Sequence, residues 1–340
     1  LSGQIDTTRS ATAARSGTAA RGAIALLKRY GIVTAFVALC IGLSIASPYF
    51  LEFQNIVNIL RQTSINGVLA IGMTFVILTR GIDLSVGSLA ALAGIVATSF
   101  ATRSSIAGVP GAPYPALVAI AIGLLVGVIA GGVNGGIATR FRVPPFVVTL
   151  GMLSTARGLT LLYAGGRPIP DLTPGFRWIG TAEIAGIPVP IFVLGLVFLA
   201  SWWVLGFTRF GRHVYASGGN PRAATSSGIN VSMVRLSVYV ISGATAALGG
   251  IMLAARTGSG LTQAGISYEL DAIAAVVIGG TSLAGGVGGV VGTLFGALII
   301  GVLNNGLDLL GVDSNYQQIF KGLMIVGAVM LDSARRSENH

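Results

Sequence analysis

Charge is the scarcest property of this sequence. Of its 340 residues only 9% are Asp, Glu, Lys or Arg, where a water-soluble domain carries about 25%, so there is too little charge to cover a water-facing surface. Cysteine is nearly absent as well: Cys40 stands alone in the chain, and disulfides contribute nothing to the fold. Two histidines and 11 acidic residues supply no clustered Cys, His and carboxylate set for a metal. His340 is the last residue, and His213 sits among Arg209, Arg212 and Arg222. The glycines of "GLTLLYAGG" and "GGTSLAGG" lack the following Lys and Ser/Thr of a phosphate-binding loop. The chain is therefore expected to bind no metal, no cofactor and no ATP of its own, and to catalyse nothing. A formal charge of +10 raises the question of nucleic acid, but the basic residues fall in short loops and tails instead of on one face, which argues against that partner.

Long apolar runs are what the sequence does have. It is 53% hydrophobic with a mean hydropathy of +0.82, and 30–51, 84–102, 114–139, 184–208 and 236–255 hold no acidic or basic residue inside the apolar stretch. A bilayer core needs roughly 20 such residues per helix. The runs are continuous instead of alternating, so a β-barrel is excluded and an all-α polytopic bundle remains. Ten spans are predicted over 30–47, 54–79, 84–101, 114–138, 145–163, 188–206, 232–256, 269–282, 287–303 and 315–332. The second span carries Glu52, Arg61 and Gln62, which predicts an interruption there, with 49–62 along the interface and 65–79 entering alone. Residues 1–27, rich in Ala, Ser, Thr and Arg, read as a disordered tail ahead of an uncleaved first helix. The membrane domain covers 28–332, 207–231 is its longest cytoplasmic connection, and 333–340 is a second tail. With the N-terminus inside, Arg80, Arg140, Arg142, Arg209, Arg212 and Arg222 face the cytoplasm and Arg103, Arg167, Arg177 and Arg256 face outward, as the positive-inside rule requires. Both termini are then cytoplasmic.

Glycine has a pattern. Gly123, Gly127, Gly131 and Gly135 recur every four residues, as do Gly288, Gly292 and Gly296, which places each set on one helical face where backbones approach closely. Setting "ILTRGIDLSVGSL" (77–89) beside "VVIGGTSLAGGVG" (276–288), and "GGVNGG" (131–136) beside "GVLNNG" (301–306), gives a weak internal repeat that points to a central pathway between halves. Asp83 has two readings, a helix N-cap and a gating pair with Arg80. Glu269 and Asp271 open a span, where negative charge suits the helix N-terminus. Arg157 and Lys321 lie deep in apolar spans and must face protein or snorkel. Asn66, Thr74, Asn134, Thr149, Thr155, Asn304 and Asn305 offer neutral donors and acceptors suited to an uncharged substrate; with Asp83, the set Asn66, Thr74, Asn134, Asn304 and Asn305 forms the candidate gate or pathway. In "GGNPRAATSSGI" Pro221 is placed to open a short cytoplasmic helix.

Five stretches carry a family resemblance: "LRQTSINGVLAIGMTFVILTRGIDLSVGS" (60–88), "GGRPI" (165–169), "GRHVYASGGNPRAATSSGINV" (211–231), "SYELDAIAAVVIGGTSLAGG" (267–286) and "GVLNNGLDLLGV" (301–312). Together, over about 45–332, the chain resembles the permease subunits of bacterial ribose-type ABC importers, with Ser267 where the family usually has a glycine of similar size. The resemblance implies a multi-pass inner-membrane permease paired with a second permease copy, cytoplasmic ATPase subunits that hold ATP and Mg2+, and an extracytoplasmic sugar-binding protein. It further implies that Gly218, Gly219, Asn220, Pro221, Arg222, Ala223 and Ala224 form the segment that docks on the ATPase. Ribose is the leading substrate. A self-contained secondary carrier for a small neutral solute is the alternative.

Overall fold

The computed structural model describes residues 31–104 and 113–337; the tail 1–27 and His340 lie outside the described residues. The described residues are built almost wholly into helices. Ten are membrane helices in the expected order: α1 (Gly31–Ala46), α2 (Phe53–Leu78), α3 (Val86–Ala101), α4 (Ala116–Arg140), α5 (Pro145–Tyr163), α7 (Val189–Phe207), α10 (Val231–Thr257), α11 (Tyr268–Ile278), α12 (Val290–Leu309) and α13 (Ser314–Ser337). Between α5 and α7 come the short α6 (Pro174–Thr181) and a two-stranded antiparallel hairpin, β1 (Glu183–Ile184) with β2 (Ile187–Pro188). Between α7 and α10 come α8 (Arg209–Gly219) and α9 (Pro221–Ser226). Proline opens α5, α6, α7 and α9 in the first turn, where its missing N–H costs no hydrogen bond.

Lipid supplies no hydrophobic drive between helices, so close backbone approach has to hold the bundle, and glycine provides it. The α4 stripe lies directly on α10: a Cβ on Gly127, Gly131 or Gly135 would strike the backbone at Gly243, Tyr239 or Leu236. Gly292 and Gly296 are likewise pressed against the backbone of α11 at Gly279 and Ala275. Both sets are packing seams. At the centre, α2 is enclosed over nearly all of Thr63–Leu78 and α10 contributes a second buried face.

The expected interruption is in a different place. The second span is one continuous helix of 26 residues, because Arg61 is neutralised by Glu183 of the hairpin at 2.9 Å and the residues after it face protein. The break occurs at the eighth passage. Ile169 and Gly260 exchange backbone hydrogen bonds at 2.9 Å in each direction, and from there the chain descends beside α3. Gly260 abuts Thr98, and Gly265 abuts Gly87, a descent of roughly 16 Å on the helical rise of α3. Only then does α11 begin, and its 11 residues span about 16 Å, half of a 30 Å hydrocarbon core. Non-helical backbone at such depth requires partners within the protein. Arg157 of α5 supplies two, donating through Nη1 to the carbonyls of Thr262 at 2.8 Å and Ala264 at 3.0 Å. The other deep cation, Lys321 of α13, pairs with the buried Asp271 of α11 at 3.1 Å. Both charges face protein, as their cost in lipid demands.

Candidate coupling site

Two helix ends on the same side of the bundle are terminated in the same way. At the end of α2 the N–H of Arg80 donates to Ile77 O at 2.9 Å and that of Gly81 to Val76 O at 3.0 Å; at the end of α11 the N–H of Gly280 donates to Val277 O at 2.9 Å and that of Thr281 to Val276 O at 3.1 Å. This is the Schellman pattern, which needs a left-handed residue just past the helix. Arg80 with φ 65 and Gly280 with φ 83 occupy that position. The same closure also ends α5 at Gly165, α9 at Gly228 and α12 at Gly311, so it is a common cap; where α2 and α11 are compared its register differs by one residue from the alignment by sequence, with Thr79–Gly81 at the place of Gly279–Thr281.

The two breaks meet. Gly286, in the loop after α11, donates its N–H to Leu78 O at 2.9 Å. The C-terminus of α8 closes over this contact. Arg80 donates through Nε to Gly218 O and through Nη2 to Gly219 O, capping the otherwise unpaired carbonyls of α8 with charge-assisted bonds. A Cβ on Gly218 would land on Leu78 O and against Gly286 N, whereas one on Gly219 would meet nothing. Tyr215 of α8 adds a bond to the second loop, its hydroxyl donating to Gly288 O at 2.9 Å; burial raises the phenol above its ordinary value, so it stays a donor at neutral pH. Asn220 then ends α8 and starts α9, accepting from Ala223 N–H at 3.0 Å. Of the seven candidate coupling residues, Gly218 and Ala224 face inward, Pro221 is half-buried, and Gly219, Asn220, Arg222 and Ala223 are exposed. One side of the α8–α9 unit thus grips both helix breaks while the other is open.

Asp83 sits in the first break, fully buried, but not beside a cation. The expected pair with Arg80 is replaced by hydroxyl and amide donors, because the left-handed turn at Arg80 is linked to α8 instead. Ser85 donates to Asp83 Oδ1 from its amide at 3.0 Å and its hydroxyl at 2.6 Å, and Ser242 of α10 donates to Oδ2 at 2.8 Å. Asn134 of α4 donates to the Ser85 hydroxyl at 2.9 Å. The helix N-cap itself is Ser85, so Asp83 acts two residues ahead of it, tying α3, α4 and α10 together at the break. Thr149 supports the same loop, donating to Ile82 O at 3.2 Å.

The remaining pathway candidates do not converge on one chamber. Thr74 and Thr293 place their hydroxyls 2.8 Å apart across α2 and α12. Asn305 forms a reciprocal pair with Asn55, at 2.7 and 3.0 Å, which joins the far ends of those helices. Asn304 Oδ1 is buried without a partner, Asn66 is half-buried with no side-chain hydrogen bond among the described residues, and Thr155 bonds back to its own helix at Gly151 O. Ser85, Ser242, Thr293, Asn55 and Tyr215 were not singled out from the sequence; apart from Ser85, two residues after Asp83, their partners lie far away in the chain. Among the described residues no group of three or more His, Cys, Asp and Glu is placed to hold a metal ion.

Comparison with known proteins gives the following. The family described as the branched-chain amino acid transport system / permease component matches residues 55–329. The ribose import permease protein RbsC of Escherichia coli (strain K12) is 47% identical over 315 residues, 92% of this chain and 95% of the relative. That of Bacillus subtilis (strain 168) is 47% identical over 309 residues, 90% of this chain and 93% of the relative. The D-allose transport system permease protein AlsC of Escherichia coli (strain K12) is 38% identical over 306 residues, 89% and 91% of the two chains. No solved structure matches.

Proposed function

The chain belongs to the family of branched-chain amino acid transport system permease components, and from that premise we propose that it forms the translocation path of an ATP-driven sugar importer with ribose as substrate. The relatives support the sugar: two proteins at 47% identity are named for ribose import and one at 38% for allose. Asn66 and Asn304 are neutral donors and acceptors, and the buried Asn304 Oδ1 has no hydrogen-bond partner, which suits a polyol better than an ion. The permease works with a second copy of itself, with cytoplasmic ATPase subunits that hold ATP and Mg2+, and with an extracytoplasmic binding protein. It resides in the bacterial inner membrane, with α8, α9 and both termini on the cytoplasmic side.

The observation that carries the coupling reading is the clasp of α8 on both helix breaks. Asn220, Arg222 and Ala223 present the exposed face to the ATPase. ATPase closure displaces α9 and α8, and the displacement reaches Leu78 and Gly286 through backbone contact at Gly218 and the bonds of Arg80. No flexible side chain intervenes at Gly218, so a small shift there moves both breaks together. The permease supplies a two-state equilibrium, inward-open and outward-open, and its partners bias it.

Reconstitution tests the reading. Proteoliposomes containing the permease and its ATPase, with ATP inside and the binding protein with radiolabelled ribose outside, should accumulate ribose, and should not do so without ATP. Binding-protein-stimulated ATP hydrolysis without ribose uptake would retain the importer and overturn the sugar, which a panel including allose and galactose would then identify. Equal uptake with and without ATP would overturn the importer.

A further inference from the structure

At the cytoplasmic ends of α4 and α10 lie two adjoining hollows of about 430 and 360 Å³ that share Thr139, Arg142 and Ser232. Arg140 lines the first and Arg235 the second. These arginines come from the last turn of α4, the loop after it and the first turns of α10, and among the described residues no acidic side chain pairs with any of them. Arg235 Nε is buried without a hydrogen-bond partner. The first turn of α10 borders both hollows through Ser232 and contributes the positive end of its helix dipole. Three unpaired guanidinium groups around a helix start form a site for a doubly accepting oxyanion, the geometry that suits phosphate.

The neighbouring surface points to the source of that phosphate. Leu125, Ile129, Val133 and Ile137 are all exposed and recur every four residues, so they form one apolar stripe along α4. Arg140, three residues after Ile137, stands at the end of the same stripe. The opposite face of α4, with Gly127, Gly131 and Gly135, is spent against α10. An aliphatic track leading into a basic cleft at the membrane boundary matches an acyl chain joined to an anionic headgroup, and a soluble anion has no use for the track.

We propose that this cleft binds the phosphate of an anionic phospholipid in the cytoplasmic leaflet, with an acyl chain along the α4 stripe. The leaflet rests on the orientation proposed above, whereas the test of the site itself needs neither nucleotide nor sugar. The full chain, purified in detergent and stripped of lipid, is titrated with phosphatidylglycerol and phosphatidylcholine and read by native mass spectrometry. Phosphatidylglycerol should be retained at least about tenfold more tightly, since each basic residue beside an anionic headgroup is worth about fivefold. R140Q/R142Q, which alters two exposed side chains only, should remove that preference, R235Q should weaken it, and R209Q/R212Q on α8 should leave it unchanged. Equal retention of phosphatidylglycerol by wild type and R140Q/R142Q overturns the site. Displacement of the lipid by excess inorganic phosphate overturns the lipid as its occupant.

Discussion

Arg80 occupies a position where glycine is the ordinary choice, and the reason lies 138 residues away. A left-handed backbone at a non-glycine residue costs about 1–2 kcal/mol, while a hydrogen bond from a charged donor contributes roughly 1.5–3 kcal/mol, so the two bonds to α8 outweigh the turn. Replacing Arg80 therefore separates two effects. R80A should lose the clasp and keep the strain; R80G should lose the clasp and relieve it. Thermal unfolding in detergent should rank wild type above R80G and R80G above R80A, with the last two about 1 kcal/mol apart. Equal stability of all three would mean that the bonds to Gly218 and Gly219 contribute nothing. Ser267 shows the same conflict without a visible compensation. It adopts φ 66, a backbone region in which glycine differs from serine by its freedom more than by its size. S267G should stabilise the chain by up to about 1 kcal/mol, measured in the same melt.

For the elements, α8 gives the sharpest contrast between neighbours. Gly218→Ala drives a methyl group into the Leu78 O to Gly286 N hydrogen bond, and Gly219→Ala meets open space. Overpacking of this kind costs roughly 1–3 kcal/mol, and here it falls on the joint between the two breaks. G218A should abolish most ribose uptake in proteoliposomes while G219A retains it; the reverse order, or equal activity, would sink the clasp as the coupling element. How far such elements could be read in the sequence depends on what fixes them. The second to seventh membrane helices fall within two residues of their expected ends, because lipid allows backbone nothing but a continuous helix and hydropathy marks its length. Residues 258–267, between two predicted spans, carry no local sign of entering the membrane, because the carbonyls of Thr262 and Ala264 are satisfied by Arg157 from α5, a partner that no local pattern reveals. Arg61 misled in the opposite direction: a charge inside a span suggested a break, and Glu183 removes the need for one. The pairing of Asp83 with Arg80 failed for a related reason, because proximity in sequence says little once a left-handed turn redirects the chain.

On the scale of the molecule, the proposed coupling route has two mechanical joints between the ATPase and the pathway. The outer joint is the exposed face of α9, with Asn220 and Arg222; the inner joint is the grip of α8 on Leu78, Arg80 and Gly286. The sequence displayed the outer joint as a basic, proline-started segment between apolar runs, whereas the inner one exists only when residues near 80, 218 and 286 are brought together by the fold. Damage to the two should be distinguishable. Substituting Arg222 by Glu reverses a charge on the surface proposed to meet the ATPase, so on that proposal the complex itself should weaken; copurification of the ATPase, stimulated hydrolysis and uptake should fall together, with uptake reduced by at least about tenfold, as truncation of a charged pair at an interface costs about 2 kcal/mol or more. Replacing Arg80 by Gln leaves that surface intact. The complex should then assemble and hydrolyse ATP at a rate near the wild type, while each hydrolysis moves less sugar, so that the ratio of ribose imported to ATP consumed falls. Measuring copurification, hydrolysis and uptake on the same three preparations checks both halves at once. If R80Q loses the ATPase as R222E does, the arginine serves only to hold α8 in place for docking, and the transmission of force must run through Gly218 alone.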